Sequence, residues 1–291
     1  MPRVPRCRSI VPMTPSSSGV DRPVGPAIVA DALVRTYGSV AAVDGVSFTV
    51  ERGEFFALLG PNGAGKSTTL HMLTTLLRPT GGRATVMGYD VVRQEAEVRR
   101  TLGMVFQDPA LDDRLTAREN LEIHAVLYGM PGAGRREEIA RSLNWASLDD
   151  VGDRRVRTFS GGMKRRLELA RALMHGPRVL FLDEPTIGLD PQGRRNLWEH
   201  IAGLRKDGMT VLMTTHNLPE AEACDRVGII DHGRLVAIGS PRELIAAHAP
   251  DGTGNLEDVF IALTGHQLRD DAATARDMML QFAKQGGEHT R

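Results

Sequence analysis

Along Val46–Val50 the apolar residues Val46, Phe48 and Val50 alternate with Ser47 and Thr49, the two-residue period of a strand with one buried face. Glu54–Leu59 is instead apolar toward both faces, as a central strand covered on both sides must be. Further strand patterns fall at Ile28–Arg35, Arg83–Met87, Gly103–Phe106, Val179–Asp183, Thr210–Thr214 and Arg226–Asp231, and helical patterns at Lys66–Leu77 and Pro191–Lys206. This alternation predicts an α/β fold with a mainly parallel sheet.

From about residue 92 to 158 strands nearly stop and helical segments dominate, which reads as a helical insert. Thr116–Glu119 has the form of a capping box opening one helix, Pro131 and Gly132 are expected to close it, and Arg135–Leu148 reads as a second. The turn Asp231–Arg234 joins two short strands as a hairpin, and Ser240–Glu243 opens another helix with Pro241 in its first turn. The expected organisation is a flexible extension over residues 1–26, one domain over 27–247, and a C-terminal extension over 248–291 carrying a short helix. The first segment is read as flexible because it holds six prolines and the run Ser16–Ser18. No motif is readable beyond Gln267.

Composition narrows the class. The 291 residues are 41% hydrophobic and 25% charged, an ordinary globular balance. Thirty-six basic residues offset thirty-six acidic ones, so no net field draws the chain to nucleic acid or anionic lipid. No apolar run approaches the roughly 20 residues of a membrane span. The arginines at 3, 6 and 8 precede a Pro/Ser-rich stretch rather than the apolar core of a signal peptide, so the chain is expected in the cytoplasm. Cys7 and Cys224 have no metal-ligand spacing.

Chemistry enters at Gly60–Ser67. Its sequence fits the eight-residue phosphate loop and lies between an apolar strand and a helix, where that loop works. Glycines let the backbone wrap a phosphate, the helix N-terminus favours its charge, Lys66 reaches the outer phosphates and Ser67 offers an oxygen to Mg²⁺. Gly60, Pro61, Asn62, Gly63, Ala64, Gly65, Lys66, Ser67 and Thr68 are therefore the expected contacts of a nucleoside triphosphate, which the loop alone does not narrow further because kinases, GTPases and motor ATPases share it. Val179–Asp183 is an apolar strand ending in a carboxylate, the place for a Mg²⁺-holding aspartate. Glu184 follows at once and is placed to accept a proton from an attacking water. Ser160, Gly161 and Gly162 open an amphipathic stretch at Lys164–Met174 and form a second anion-seeking helix start. Two such surfaces with one phosphate loop suggest a head-to-tail pair of chains, each closing the other's site.

Taken together, Gly60–Ser67, Gln107, Phe159–Met163, Val179–Glu184, Gly188–Asp190 and His216 resemble, in order and spacing, the ATP-binding cassette of ABC transporters. The resemblance runs from about Ile28 to Ser240. It implies a P-loop NTPase fold with a mixed sheet and helical insert, ATP hydrolysis with Mg²⁺, a second copy as dimer partner, and a separate membrane permease. It also implies roles: Tyr37 stacks on adenine, Gln107 touches Mg²⁺ or water, Asp190 communicates across the dimer, and His216 contacts the γ-phosphate. Asp190 before Pro191 also reads as a plain helix cap, and the other histidines, His71 and His124 among them, read as structural. Phe159 and Met163 stand where the family usually has Leu and Gln. With Thr215–Glu222 and Asn255–Gly265 they resemble the daunorubicin-resistance type of exporter, although lipid and polysaccharide exporters share much of the pattern. Soluble relatives acting on ribosomes or DNA usually carry two cassettes or coiled coils, neither of which is present here, and a small-molecule kinase leaves Ser160–Gly162 and His216 unexplained.

Overall fold

The computed structural model describes residues 25–249 and 254–265. The extension expected over residues 1–26 lies almost wholly outside them, as does the tail beyond Gln267.

The strands divide into two sheets. Strands β1 (Ile28–Tyr37), β2 (Val40–Val50), β4 (Gly81–Val86) and β5 (Tyr89–Asp90) form an antiparallel sheet in the order β2-β1-β4-β5. The second sheet holds β3 (Phe55–Leu59), β6 (Leu102–Val105), β7 (Val179–Asp183), β8 (Thr210–Thr215), β9 (Arg226–Asp231) and β10 (Arg234–Gly239). Its order is β10-β9-β3-β8-β7-β6, parallel throughout except for the β9–β10 hairpin. The alternation had suggested one mainly parallel layer. β2 is also longer than its alternating stretch, because bulges in the β1–β2 ladder carry the pairing back to Val40.

Every residue of β3 and β7 is buried, and alternate side chains serve two cores. Phe56 and Leu58 face a cluster with Phe181, Leu212, Leu70 of helix α1 (Lys66–Leu73) and the antiparallel sheet. Phe55, Ala57 and Leu59 face the opposite cluster, with Leu182, Met213, Leu197 and Ile201 of α6 (Pro191–Lys206), and Phe260 of the C-terminal helix Leu256–Thr264. Each Leu, Ile, Phe or Met among them contributes roughly 1.5–3 kcal/mol by leaving water.

Between β5 and β7 lie α2 (Glu95–Thr101), α3 (Ala117–Leu127), α4 (Gly132–Trp145) and α5 (Gly161–Leu173). A third cluster, including Leu121, Leu143, Val156 and Leu167, packs α3 and α4 onto α5. Thr116 and Glu119 form the expected capping box of α3, but that helix stops before Pro131, because Gly129 takes a left-handed turn at φ 67°. In α4, Ala133 and Gly134 are not helical, so its regular part begins at Arg135. Helix α1 is about a turn shorter than its apolar pattern: the Thr74 hydroxyl donates back to the Leu70 carbonyl and Thr75 turns left-handed at φ 64°. Helices α7 (Leu218–Glu222) and α8 (Pro241–His248) follow β8 and β10. No described helix is long and apolar enough to cross a membrane.

Candidate nucleotide site

Because β3, β6, β7 and β8 run parallel, their carboxyl ends meet at one edge of the sheet, where open α/β sheets place their ligands. The phosphate loop leaves β3 there, Asp183 and Glu184 leave β7, His216 leaves β8, and Gln107 follows β6.

The loop's shape is imposed by close packing. A Cβ on Gly60 would stand 2.2 Å from the Ile230 carbonyl oxygen, and one on Gly65 would stand 2.5 Å from that of Ala42. Gly65 is also left-handed, at φ 101°, and no side chain caps α1 behind it. The first-turn amides of Lys66, Ser67 and Thr68 thus remain for an anion. The β9–β10 turn braces the loop from behind through Gly233 N–H, which donates to the Ala64 carbonyl at 3.0 Å.

Lys66 is only 4% exposed, and its Nζ donates to the carbonyls of Gly60 and Pro61 at 2.8 and 3.0 Å. It also pairs with Glu184 Oε1 at 3.0 Å, while His216 Nδ1 donates to Glu184 Oε2 at 3.1 Å. Burial pushes the Lys66 ammonium below its ordinary value, against the opposing attraction of Glu184 and Asp183. Burial alone would raise the Glu184 carboxyl. The hydrogen bond from His216 and the Lys66 charge outweigh it and hold that carboxyl below the usual glutamate value. Glu184 is therefore ionised at neutral pH, and its backbone sits in the left-handed region at φ 42°.

Asp183 is buried beside this pair. Its Oδ1 accepts from Ser67 Oγ at 2.9 Å and from Thr214 Oγ1 at 2.5 Å. A hydroxyl and a carboxylate oxygen are hard ligands of the kind Mg²⁺ takes. Thr214 Oγ1 also accepts the Glu184 amide at 3.0 Å, so one threonine fixes both acidic residues. His71 Nε2 lies 3.7 Å from Asp183 Oδ2, at the site rather than remote from it.

The remaining expected residues stand apart from this cluster. Gln107 is exposed just beyond β6. Tyr37 is 47% exposed at the end of β1, with the Arg35 guanidinium 4.6 Å from its ring centre. Asp190 caps α6 by accepting the Gly193 amide at 2.9 Å. Ser160 caps α5 through the Met163 amide at 3.3 Å, and Gly161 and Gly162 lie against Gly188 and Gly193 rather than the phosphate loop.

Sequence reasoning passed over Thr214, whose hydroxyl reads as part of a strand, and three buried charged residues, Arg165, Glu168 and Glu220. Glu220 Oε2 accepts from Thr215 Oγ1 at 2.7 Å and its Oε1 accepts from the Thr186 hydroxyl, tying together the segments that bear His216 and Glu184. Its only local mark in the sequence is its place four residues after the strand-ending His216.

Comparison with known proteins identifies the family. The family described as "ABC transporter" matches residues 43–187. The daunorubicin/doxorubicin resistance ATP-binding protein DrrA of Streptomyces peucetius is 46% identical over 272 residues, covering 89% of this chain and 82% of that protein. The probable multidrug ABC transporter ATP-binding protein YbhF of Escherichia coli (strain K12) is 44% identical over 240 residues; the match takes in 81% of this chain but only 41% of YbhF. Among solved structures, a dimeric post-hydrolysis state of the ATP-binding cassette MJ0796 bound to ADP and Pi superposes with a TM-score of 0.67 at 28% identity, covering 73% of this chain and 98% of that one. With a relative this similar over most of both lengths, the chain belongs to the ABC transporter ATP-binding proteins, in the group that includes the daunorubicin/doxorubicin resistance proteins.

Proposed function

We propose that this chain binds and hydrolyses Mg-ATP to energise export of a drug or similar hydrophobic small molecule through a separate membrane permease, working as a pair of cassettes at the cytoplasmic membrane face. The observation that carries this reading is the cluster of buried Lys66, Asp183 and Glu184 with half-buried His216 behind an uncapped phosphate loop. The names of its relatives, which specify multidrug transport and daunorubicin/doxorubicin resistance, support the choice of cargo.

Lys66 and the α1 amides bind the phosphates, and Tyr37 offers its exposed ring to the adenine. The ion pair with Lys66 helps to hold Glu184 in place. Phosphate competes for Lys66, leaving Glu184, still oriented by His216, to take the proton of the attacking water. His216 then also serves the γ-phosphate. Ser67, Asp183 and Gln107 would hold Mg²⁺, which supplies charge neutralisation at the phosphates when bound. Ser160, Gly161 and Gly162 of a second copy close the site, with Asp190 at the junction. The permease contact is placed on the insert near residues 108–120. On α3 the exposed Ile123, Val126 and Leu127 adjoin that segment and supply apolar contact area.

ATPase assays and nucleotide titration of two variants test this function. Lys66→Ala is expected to weaken ATP binding by roughly 10–100-fold, the worth of a charge-assisted contact. Glu184→Gln is expected to bind ATP normally and lose turnover by about 10²–10⁴-fold. Normal hydrolysis by both would refute it.

A further inference from the structure

Helix α5 starts at Ser160, yet its most buried polar side chains point away from that end, toward Glu184. Arg165 is 4% exposed and Glu168 0%. A guanidinium has five N–H donors, and here each has an acceptor. Nε donates to the Pro185 carbonyl at 2.6 Å, Nη1 to the Phe106 carbonyl and to Glu168 Oε2 at 2.9 Å, and Nη2 to the Asp183 and Glu184 carbonyls at 3.3 and 3.4 Å. Glu168 Oε1 in turn accepts the Ala110 amide at 3.0 Å.

The acceptors decide what this arrangement does. Three successive carbonyls, of Asp183, Glu184 and Pro185, converge on one cation. Regular strand or helix does not present carbonyls that way. The turn does so because Glu184 is left-handed, at φ 42°, a conformation costly for a residue with a side chain and kept only where the surroundings impose it. Arg165 is a main part of those surroundings. Through Phe106, and through Glu168 on Ala110, the same pair also grips both ends of the loop carrying Gln107.

We infer that Arg165, backed by Glu168, is a positioning residue for ATP hydrolysis: it holds the Glu184 turn and the Gln107 loop to helix α5. This rests on the ATPase reading given above and adds to it a route between the two sites of a pair. Helix α5 presents Ser160–Gly162 to one nucleotide, and Arg165 on the same rigid helix sets Glu184 at the other. Lysine, with three donors from a single point, cannot replace the fork.

The test is steady-state ATP hydrolysis by the full-length chain, wild type against Arg165→Lys and Glu168→Gln, with nucleotide affinity, thermal midpoint and amide exchange measured alongside. In Arg165→Lys, kcat is expected to fall roughly 10–100-fold, the cost of a displaced catalytic group, while KM and ATP affinity stay within about threefold. Glu168→Gln is expected to lower kcat less and to speed exchange of the Ala110 amide. A folded Arg165→Lys protein with kcat within twofold of wild type would overturn the inference. If that variant does not fold, an unchanged kcat in Glu168→Gln overturns it instead. A drop in kcat matched by an equal loss of ATP affinity would also count against it, because a general loosening of the site moves both. Wild-type chain without ATP turnover would instead remove the ATPase reading and this inference together.

Discussion

Glu184 is held by two partners with different tasks: Lys66 supplies charge and His216 direction. On the proposed role of Glu184, removing its negative charge while keeping its shape is expected to separate binding from turnover. Gly60 is constrained by space alone, since any Cβ would press on the Ile230 carbonyl. Gly60→Ala is expected to destabilise the chain by about 1–3 kcal/mol or more through overpacking, visible as a lower thermal midpoint before nucleotide is added. The phosphate loop, Asp183 and Glu184 were legible in the sequence because their spacing is fixed locally by a strand, a tight turn and a helix start. Arg165 and Glu168 were not. They lie on a helix rich in Lys and Arg, and only the tertiary packing of α5 buries them.

The junction of α3, α5 and β6 has its own chemistry. His124 Nε2 and His175 Nδ1 are 3.3 Å apart, His175 Nε2 donates to the Leu102 carbonyl at 2.9 Å, and the Tyr128 ring stacks on His175 at 3.9 Å. The bond to Leu102 fixes the His175 tautomer and leaves Nδ1 to accept from His124. Burial, with His175 and Arg171 nearby, pushes His124 down to about 3. An unfolded histidine titrates near 6.5, so between about 3 and about 6.5 the unfolded chain binds the extra proton, and stability falls as pH falls. Above that window His124 contributes no slope. The thermal midpoint of wild type is expected to drop between pH 7.5 and 5, by several degrees for a shift on the order of 2 kcal/mol. His124→Gln should show a shallower drop over the same range, and equal slopes would contradict this reading. Helix and strand types were readable from periodicity, but their ends were not: Thr74 and Gly129 stopped two helices early through backbone chemistry that an apolar pattern does not carry. The split into two sheets was likewise hidden, because pairing partners such as β1 and β4 lie far apart in sequence.

Each chain offers a complete phosphate loop with its acidic residues on one side and Ser160–Gly162 on another, where the latter pack against Gly188 and Gly193. A single copy does not bring these surfaces together; two copies arranged head to tail can. In the proposed closed pair ATP touches both subunits, and that contact would give the differential affinity that any shift toward closure requires. On the same proposal hydrolysis would remove that preference and let the pair reopen, a cycle that a membrane partner could use. The most direct measurement is the solution mass of the Glu184→Gln chain by light scattering, with and without saturating Mg-ATP. A monomer without nucleotide and a dimer with it is the predicted result, whereas a chain that binds Mg-ATP and stays monomeric would contradict the shared site.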